Sequence, residues 1–158
     1  MIYPILTPEE AADYIQNGMN IGVSGFTIPG NVKVIPPAIA KKAIREHEAG
    51  REFKVNIYSG ASTNDYTDGE LSRAHALNYR TPYQSLPEVR NRINAGEVHY
   101  NDRHLSELAQ EFRYGYYGKM DVALIEVQSI TDEGDIVVDP PLGNSPTWLN
   151  VADKLMIE

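Results

Sequence analysis

The chain has 158 residues, 42% of them hydrophobic, which suits one domain with a buried core of its own. Its 14 basic and 22 acidic residues give a formal net charge of −8, the wrong sign for a nucleic-acid or anionic-membrane surface, though a single local basic site for a phosphorylated ligand stays compatible with it. There is no cysteine, so a disulfide scaffold, a zinc ribbon and a cysteine nucleophile are excluded. In chain order, Thr7-Pro8-Glu9-Glu10 predicts a helix start, with Thr7 as cap, Pro8 in the first turn and Glu10 completing a capping box. That helix runs through Ala11, Tyr14 and Ile15 towards Gly18, and residues 19–23 read as a short strand. Gly and Pro punctuate residues 24–30 as a loop. A helix over about 36–49 follows, with Ile35, Ile39, Ala43 and Ile44 inward, Lys41, Lys42, Arg45 and Glu48 outward, and Gly50 as its stop. Residues 53–58 alternate apolar and polar, as a strand does.

Beyond a loop at 60–65, a third helix is expected over 68–77. Residues 79–83 read as extended chain, since a residue before proline avoids the helix. A helix over 87–95 stops at Gly96, Val98 and Tyr100 mark a short strand, and 105–114 predicts a helix with Leu105, Leu108, Ala109 and Phe112 inward. Residues 121–127 form a continuous apolar run of the kind parallel sheets bury. A turn at 131–135 leads into Ile136-Val137-Val138 as a hairpin, a last helix covers 147–153 and a last strand 155–157. The fold class is α/β: one domain over 1–158, a mainly parallel sheet with flanking helices, right-handed crossovers and one antiparallel excursion. No apolar run has the roughly 18 residues of a membrane span, and Met1-Ile2-Tyr3-Pro4 has no signal-peptide pattern, so a cytoplasmic location is expected. The apolar ending Leu155-Met156-Ile157-Glu158 reads as a strand rather than a frayed terminus, so the chain is expected to belong to something longer.

In open α/β sheets ligands bind beyond the C-terminal ends of the strands. Three such loops combine glycine with small polar residues: Gly22-Val23-Ser24-Gly25-Phe26-Thr27, Ser59-Gly60-Ala61-Ser62-Thr63 and Gly143-Asn144-Ser145-Pro146-Thr147. Each precedes a helix, whose N-terminal N–H groups favour an anion, so the three together suit an anionic ligand or an oxyanion. Each taken alone is also an ordinary turn. The first lacks G-x-G-x-x-G spacing, and no P-loop occurs. His99 and His104 flank Asp102, but their spacing fits no helical ligand pair, and hydrogen-bonded loop residues explain them equally; His47 and His75 read as solvated. Arg80, Arg90, Arg92, Arg103 and Arg113 suit either a phosphate or carboxylate site or exposed ion pairs. Tyr114, Tyr116 and Tyr117 suit either an adenine platform or packing at a helix end. Glu126 interrupts an apolar run, so it belongs near a strand end or beside a partner.

Eight stretches in order carry a resemblance. They are Val23-Ser24-Gly25-Phe26-Thr27, Gly60-Ala61-Ser62-Thr63, Arg80-Thr81-Pro82-Tyr83-Gln84-Ser85 and Arg90-Asn91-Arg92-Ile93-Asn94-Ala95-Gly96-Glu97, then Asp102-Arg103-His104-Leu105-Ser106, Tyr114-Gly115-Tyr116-Tyr117-Gly118-Lys119, Ile130-Thr131-Asp132-Glu133-Gly134 and Gly143-Asn144-Ser145-Pro146-Thr147. Over nearly its whole length the chain resembles the N-terminal portion of the acetyl-CoA hydrolase/transferase family, the class I CoA-transferases that include succinyl-CoA:acetate CoA-transferases. The resemblance implies two related α/β halves in a longer polypeptide, with coenzyme A as substrate, an acyl-CoA and a small carboxylate as ligands, and neither a metal nor a covalently bound cofactor. It implies covalent catalysis through a glutamyl-CoA intermediate. The glutamate lies in the second half, so no residue of this chain is nominated as nucleophile and the isolated chain is expected to be inactive. Carried over by position, Ser24, Gly25 and Phe26 border the cleft, Gly60, Ala61 and Ser62 approach the acyl or carboxylate end, and Gly143, Asn144 and Ser145 line the same crevice. Two departures stand out: Asp139-Pro140-Pro141-Leu142 replaces small hydroxylated residues, and Asn64 stands where many relatives have glycine. A missing C-terminal domain or a second copy in a homodimer are the expected protein partners. The alternative is a non-catalytic module of the same fold that binds a CoA ester or another anion.

Overall fold

A computed structural model describes residues 3–61 and 63–158. The elements run α1 (Pro8–Asp13), β1 (Asn20–Val23), α2 (Ile35–Glu48), β2 (Val55–Tyr58), a π-helical turn (Asp65–Gly69), α3 (Glu70–Arg73), β3 (Leu77–Thr81), α4 (Pro87–Asn94) and β4 (His99–Tyr100). They continue through α5 (Leu105–Arg113), β5 (Met120–Ile125), β6 (Val127–Ile130), β7 (Ile136–Val138), α6 (Ser145–Val151) and β8 (Ala152–Ile157). The capping box at α1 is present, with the Thr7 and Glu10 side chains each accepting from the other's backbone N–H.

Six strands form one parallel sheet in the order β4-β3-β2-β1-β5-β8. The chain winds outward from β1 to β4, then returns to lay β5 against the free edge of β1. The order therefore reverses between β1 and β5, where Ile21 pairs with Val122 and Val23 with Leu124. The antiparallel excursion is the hairpin β6–β7, which forms a separate two-stranded sheet.

Alternation along the strands separates two cores. Ile21 and Val23, Val55 and Ile57, and Val122 and Leu124 pack with residues of α1 to α4 in an aliphatic layer. Tyr58, Ala123 and Ile125 pack with Leu108 and Phe112 of α5 and Trp148 of α6 in an aromatic layer.

Four sequence expectations need correction. No helix spans 68–77: a π turn and one α turn end at Arg73, and Leu77 is already in β3. Leu71, Ala74, Ala76 and Leu77 are all buried, so apolar spacing runs through the boundary without marking it. The π turn has its own local causes. Asn64 accepts from Thr67 N, Arg73 pairs with Asp65 at 2.9 Å, and Gly69 leaves room for the Asp65 carboxylate. Secondly, Ile44 is 46% exposed, and the inward stripe of α2 is Ile35, Ile39, Ala40 and Ala43. Thirdly, Leu105 is exposed at the start of α5, which buries Leu108 and Phe112 instead. The last helix starts at Ser145, two residues before its expected start at 147.

Candidate active site

The three glycine loops meet beyond the C-terminal ends of β1 and β2. After β1, Ser24 turns inward: it is buried, its hydroxyl donates to Gly30 O at 2.6 Å and accepts from Glu126 N at 2.9 Å, and its own N–H reaches Leu124 O. Ser24 thus ties the ends of β1 and β5 together at the reversal point. Gly25 follows with φ +102°, a conformation that favours glycine, and Phe26 is left 47% exposed. The first loop is bonded to the second, because Thr27 N donates to Ala61 O at 3.0 Å and Thr63 N to Thr27 O at 3.3 Å.

The third loop lies against both. A Cβ on Gly60 would sit 3.2 Å from Gly143 Cα and 3.3 Å from Asn144 N, and one on Gly143 would collide with the Gly25 carbonyl. Asn144 Nδ2 also donates to Ser59 O at 3.3 Å. Pro141, within the departing Asp139-Pro140-Pro141-Leu142 run, places its carbonyl against Gly30. Three bare backbones therefore occupy one place that side chains would fill. Among the described residues, the N–H groups of Gly25, Gly60 and Gly143 have no acceptor within the protein. Ser145 is buried in the first turn of α6, and Ser62 lies outside the described residues.

The helix N-termini are used differently from the expectation. The start of α2 is filled from within the chain: the Glu158 carboxylate accepts from the N–H groups of Lys33, Val34 and Ile35, the last at 2.9 Å. This satisfies groups that would otherwise attract an anion.

Side chains beneath the loops fix them. The Trp148 indole covers Gly22, where a Cβ would come within 2.8 Å of the ring, and its Nε1 donates to Val23 O at 3.1 Å. Arg113 reaches Thr147 Oγ1 at 2.7 Å. Glu126 stands at the end of β5 and pairs with Lys33, which meets both conditions expected of it.

The arginines between 80 and 113 do not converge on one site. Arg80 is buried and paired with Asp68, Arg92 bonds Glu97 at 2.6 Å, and Arg103 lies 3.3 Å from Glu111. His47 is half-buried with Nε2 3.0 Å from Phe53 O, which corrects its solvated reading. His75 lies 2.8 Å from Arg92. No group of three or more His, Asp or Glu able to hold a metal occurs among the described residues. Tyr114 and Tyr116 are exposed, while Tyr117 stacks on Phe112 with ring centroids 4.9 Å apart and joins the aromatic layer. Burial and the flanking Tyr79 and Tyr117 rings push the Tyr58 phenol well above its ordinary value. Sequence reasoning missed the Asp68–Arg80 pair and the Glu158 cap. Their partners are 12 residues apart and more than 120 residues apart, so no local spacing carries a signal.

The profile of acetyl-CoA hydrolase/transferase N-terminal domains matches residues 3–158. The chain is 41% identical over 153 residues to the propanoyl-CoA:succinate CoA transferase of Escherichia coli, covering 97% of this chain and 31% of that protein. It is 42% identical over 154 residues to the succinyl-CoA:acetate CoA-transferase of Clostridium kluyveri, covering 98% of this chain and 28% of that protein. The chain thus spans less than a third of the length of these relatives. In fold it is similar to the glutaconate coenzyme A-transferase of Acidaminococcus fermentans, with a TM-score of 0.72 at 11% identity over 97% of this chain and 68% of that one. No helix among the described residues is long and apolar enough to cross a membrane. With an ordered set of loop motifs, a parallel sheet that reverses at those loops and a matching profile across its length, the chain belongs to the acetyl-CoA hydrolase/transferase N-terminal domain family.

Proposed function

We propose that this chain is one α/β half of a longer acyl-CoA:carboxylate CoA-transferase or acetyl-CoA hydrolase, and that its three glycine loops form one wall of the cleft that receives the acyl-CoA. The observation that carries this reading is the meeting of the Gly25, Gly60 and Gly143 backbones at the reversal point of the sheet, in a chain of this family. Ligands of open parallel sheets sit at that point. Backbone N–H groups there suit the oxyanion that develops when a thioester or carboxyl carbon is attacked.

In the proposed reaction a glutamate carboxylate, outside residues 1–158, attacks the acyl carbon and expels CoA thiolate, leaving an acyl-glutamyl anhydride. The thiolate then attacks the glutamyl carbonyl and releases the first carboxylate, leaving a glutamyl-CoA thioester. A second carboxylate takes the CoA by the reverse steps, and water in its place gives hydrolysis. Each step passes through a tetrahedral oxyanion, and this chain's part is to receive substrate and donate hydrogen bonds. Ser24, Gly25, Phe26, Gly60, Ala61, Ser62, Gly143, Asn144 and Ser145 are the proposed lining, with Ser24 acting through the loop it braces. The acidic, cysteine-free composition fits a cytoplasmic enzyme.

Titrating acetyl-CoA into the isotopically labelled chain tests the reading. The amide resonances of Gly25, Gly60 and Gly143 should shift together, and the chain alone should release no CoA at an enzymatic rate. Shifts confined to other surfaces would overturn the cleft assignment. Steady hydrolysis by the purified chain would place the nucleophile within it and overturn the division of labour.

A further inference from the structure

We propose that the buried Asp68–Arg80 pair is a positioning device for the Ser59-Gly60-Ala61 loop, an inference that rests on the cleft reading above. Both side chains are 1% exposed. Arg80 Nε and Nη2 donate to the two Asp68 carboxylate oxygens at 2.7 and 3.1 Å, a bidentate fork, while Nη1 donates to Ser59 Oγ at 3.0 Å and to Thr81 O at 2.7 Å. The Ser59 hydroxyl passes the contact on by donating to Gly60 O at 3.0 Å. The Ser59 carbonyl is also the acceptor for Asn144 Nδ2 of the third loop. A continuous polar relay thus runs from the π turn, through the ends of β3 and β2, to two of the three cleft loops.

Stability alone does not call for such a pair. Desolvating two charges is unfavourable, and apolar side chains of similar volume commonly hold a fold as well. What a guanidinium adds is direction: its planar fork, fixed on one side by Asp68, delivers a hydrogen bond at a set angle on the other. The recipient here is the residue immediately before Gly60. The location of Asp68 agrees, since it sits in a π-helical turn, a form often found at functional sites.

Three variants of the chain test the proposal. Ser59→Ala removes the link to the loop and leaves the ion pair intact. Arg80→Lys keeps the charge without the fork, and Asp68→Asn removes the charge that holds the fork. With Ser59→Ala, thermal unfolding should stay close to that of the unaltered chain, while amide hydrogen exchange at Thr27 and Thr63, whose N–H groups donate to Ala61 O and Thr27 O, speeds up by about tenfold. The acetyl-CoA response should weaken by about fivefold to tenfold, the scale of one ordinary hydrogen bond. Arg80→Lys should show the same cleft defect without rescue. Unchanged exchange at Thr27 and Thr63 in Ser59→Ala, with an unchanged acetyl-CoA response, would reduce the pair to a purely structural one and overturn the proposal. If Asp68→Asn fails to fold, Ser59→Ala still decides. If the unaltered chain gives no acetyl-CoA response at the cleft amides, the cleft reading falls, and the positioning role is judged on amide exchange alone.

Discussion

The two faces of the sheet are built from different materials. On one side α1 to α4 cover it with alanine, valine, isoleucine and leucine, a layer without a polar tip to place. On the other, Phe112 of α5 and Trp148 of α6 pack with Tyr58 of β2 and Tyr117 beyond α5, edge to face and stacked. The aliphatic side chains bind by area alone, and the directional contact on that side is the buried Asp68–Arg80 pair at the layer's edge. The aromatic layer has directional ends: the Trp148 N–H meets the last carbonyl of β1, and Arg113 meets Thr147 one residue before the tryptophan. Both contacts sit directly beneath the glycine loops. One face therefore holds the domain together by aliphatic packing and reaches the glycine loops through the Asp68–Arg80 pair at Ser59, whereas the aromatic face bears on the Gly25 and Gly143 backbones.

Truncations on the two faces should separate these roles. Trp148→Ala has the largest expected effect, a loss of about 3–5 kcal/mol in unfolding free energy. It should also displace the amide resonances of Gly25 and Gly143. Ile39→Ala, on the aliphatic face, should cost about 2–5 kcal/mol by denaturant unfolding while leaving those resonances in place. Equal disturbance of the cleft by both variants would break the comparison. Gly22→Ala sharpens it: a methyl group 2.8 Å from the indole pushes the ring off the strand, for about 1–3 kcal/mol of overpacking, and should reproduce the cleft shifts of Trp148→Ala with a milder loss of stability.

The smallest effect concerns pH. Tyr58 has its folded pKa raised above the ordinary 10.0 because burial disfavours the phenolate. A raised pKa means that the stabilisation is fully present below about pH 10 and is lost as pH rises through the folded value. Tyr58→Phe should therefore unfold much as the parent does at neutral pH and outlast it in an alkaline titration followed by circular dichroism. No alkaline difference would show that the aromatic layer is open enough to solvate the phenolate.

Much of this was legible in the sequence where the signal is local. The Thr7-Pro8-Glu9-Glu10 capping box and the helix over Pro87–Asn94 each lie within a dozen residues and form as read, and the apolar run at 121–127 forms β5 up to Ile125, beyond which Val127 starts the hairpin. The boundary after Arg73 was not legible, because buried apolar residues continue from the helical turn into β3 and give one pattern to two structures. Ile44 was misplaced for a related reason: it is 46% exposed although apolar, so residue type alone does not mark the buried face of α2. The cleft loops could be listed from sequence but not joined. Their joining depends on strand order, which places residue 143 against residues 25 and 60. Asn64 changed meaning in the structure, from a departure within a glycine loop to the residue that caps the π turn.

The central position of β1 has a consequence for how the molecule comes into being. One of its neighbours, β2, follows within a few dozen residues, but the other is β5: Asn20 N bonds Asp121, Glu126 N bonds Ser24, and the Trp148 indole bonds Val23, at sequence separations of 101, 102 and 125 residues. Loops this long close late, because their chain entropy is lost before any contact repays it. During synthesis from the N-terminus, β1 to β4 can pair while the other edge of β1 is still bare, and the ceiling over Gly22 arrives only with residue 148. The three glycine loops thus come together only after β5 and α6 have been made, and until β5 arrives β1 offers an open parallel edge of the sort that makes nascent α/β chains prone to association.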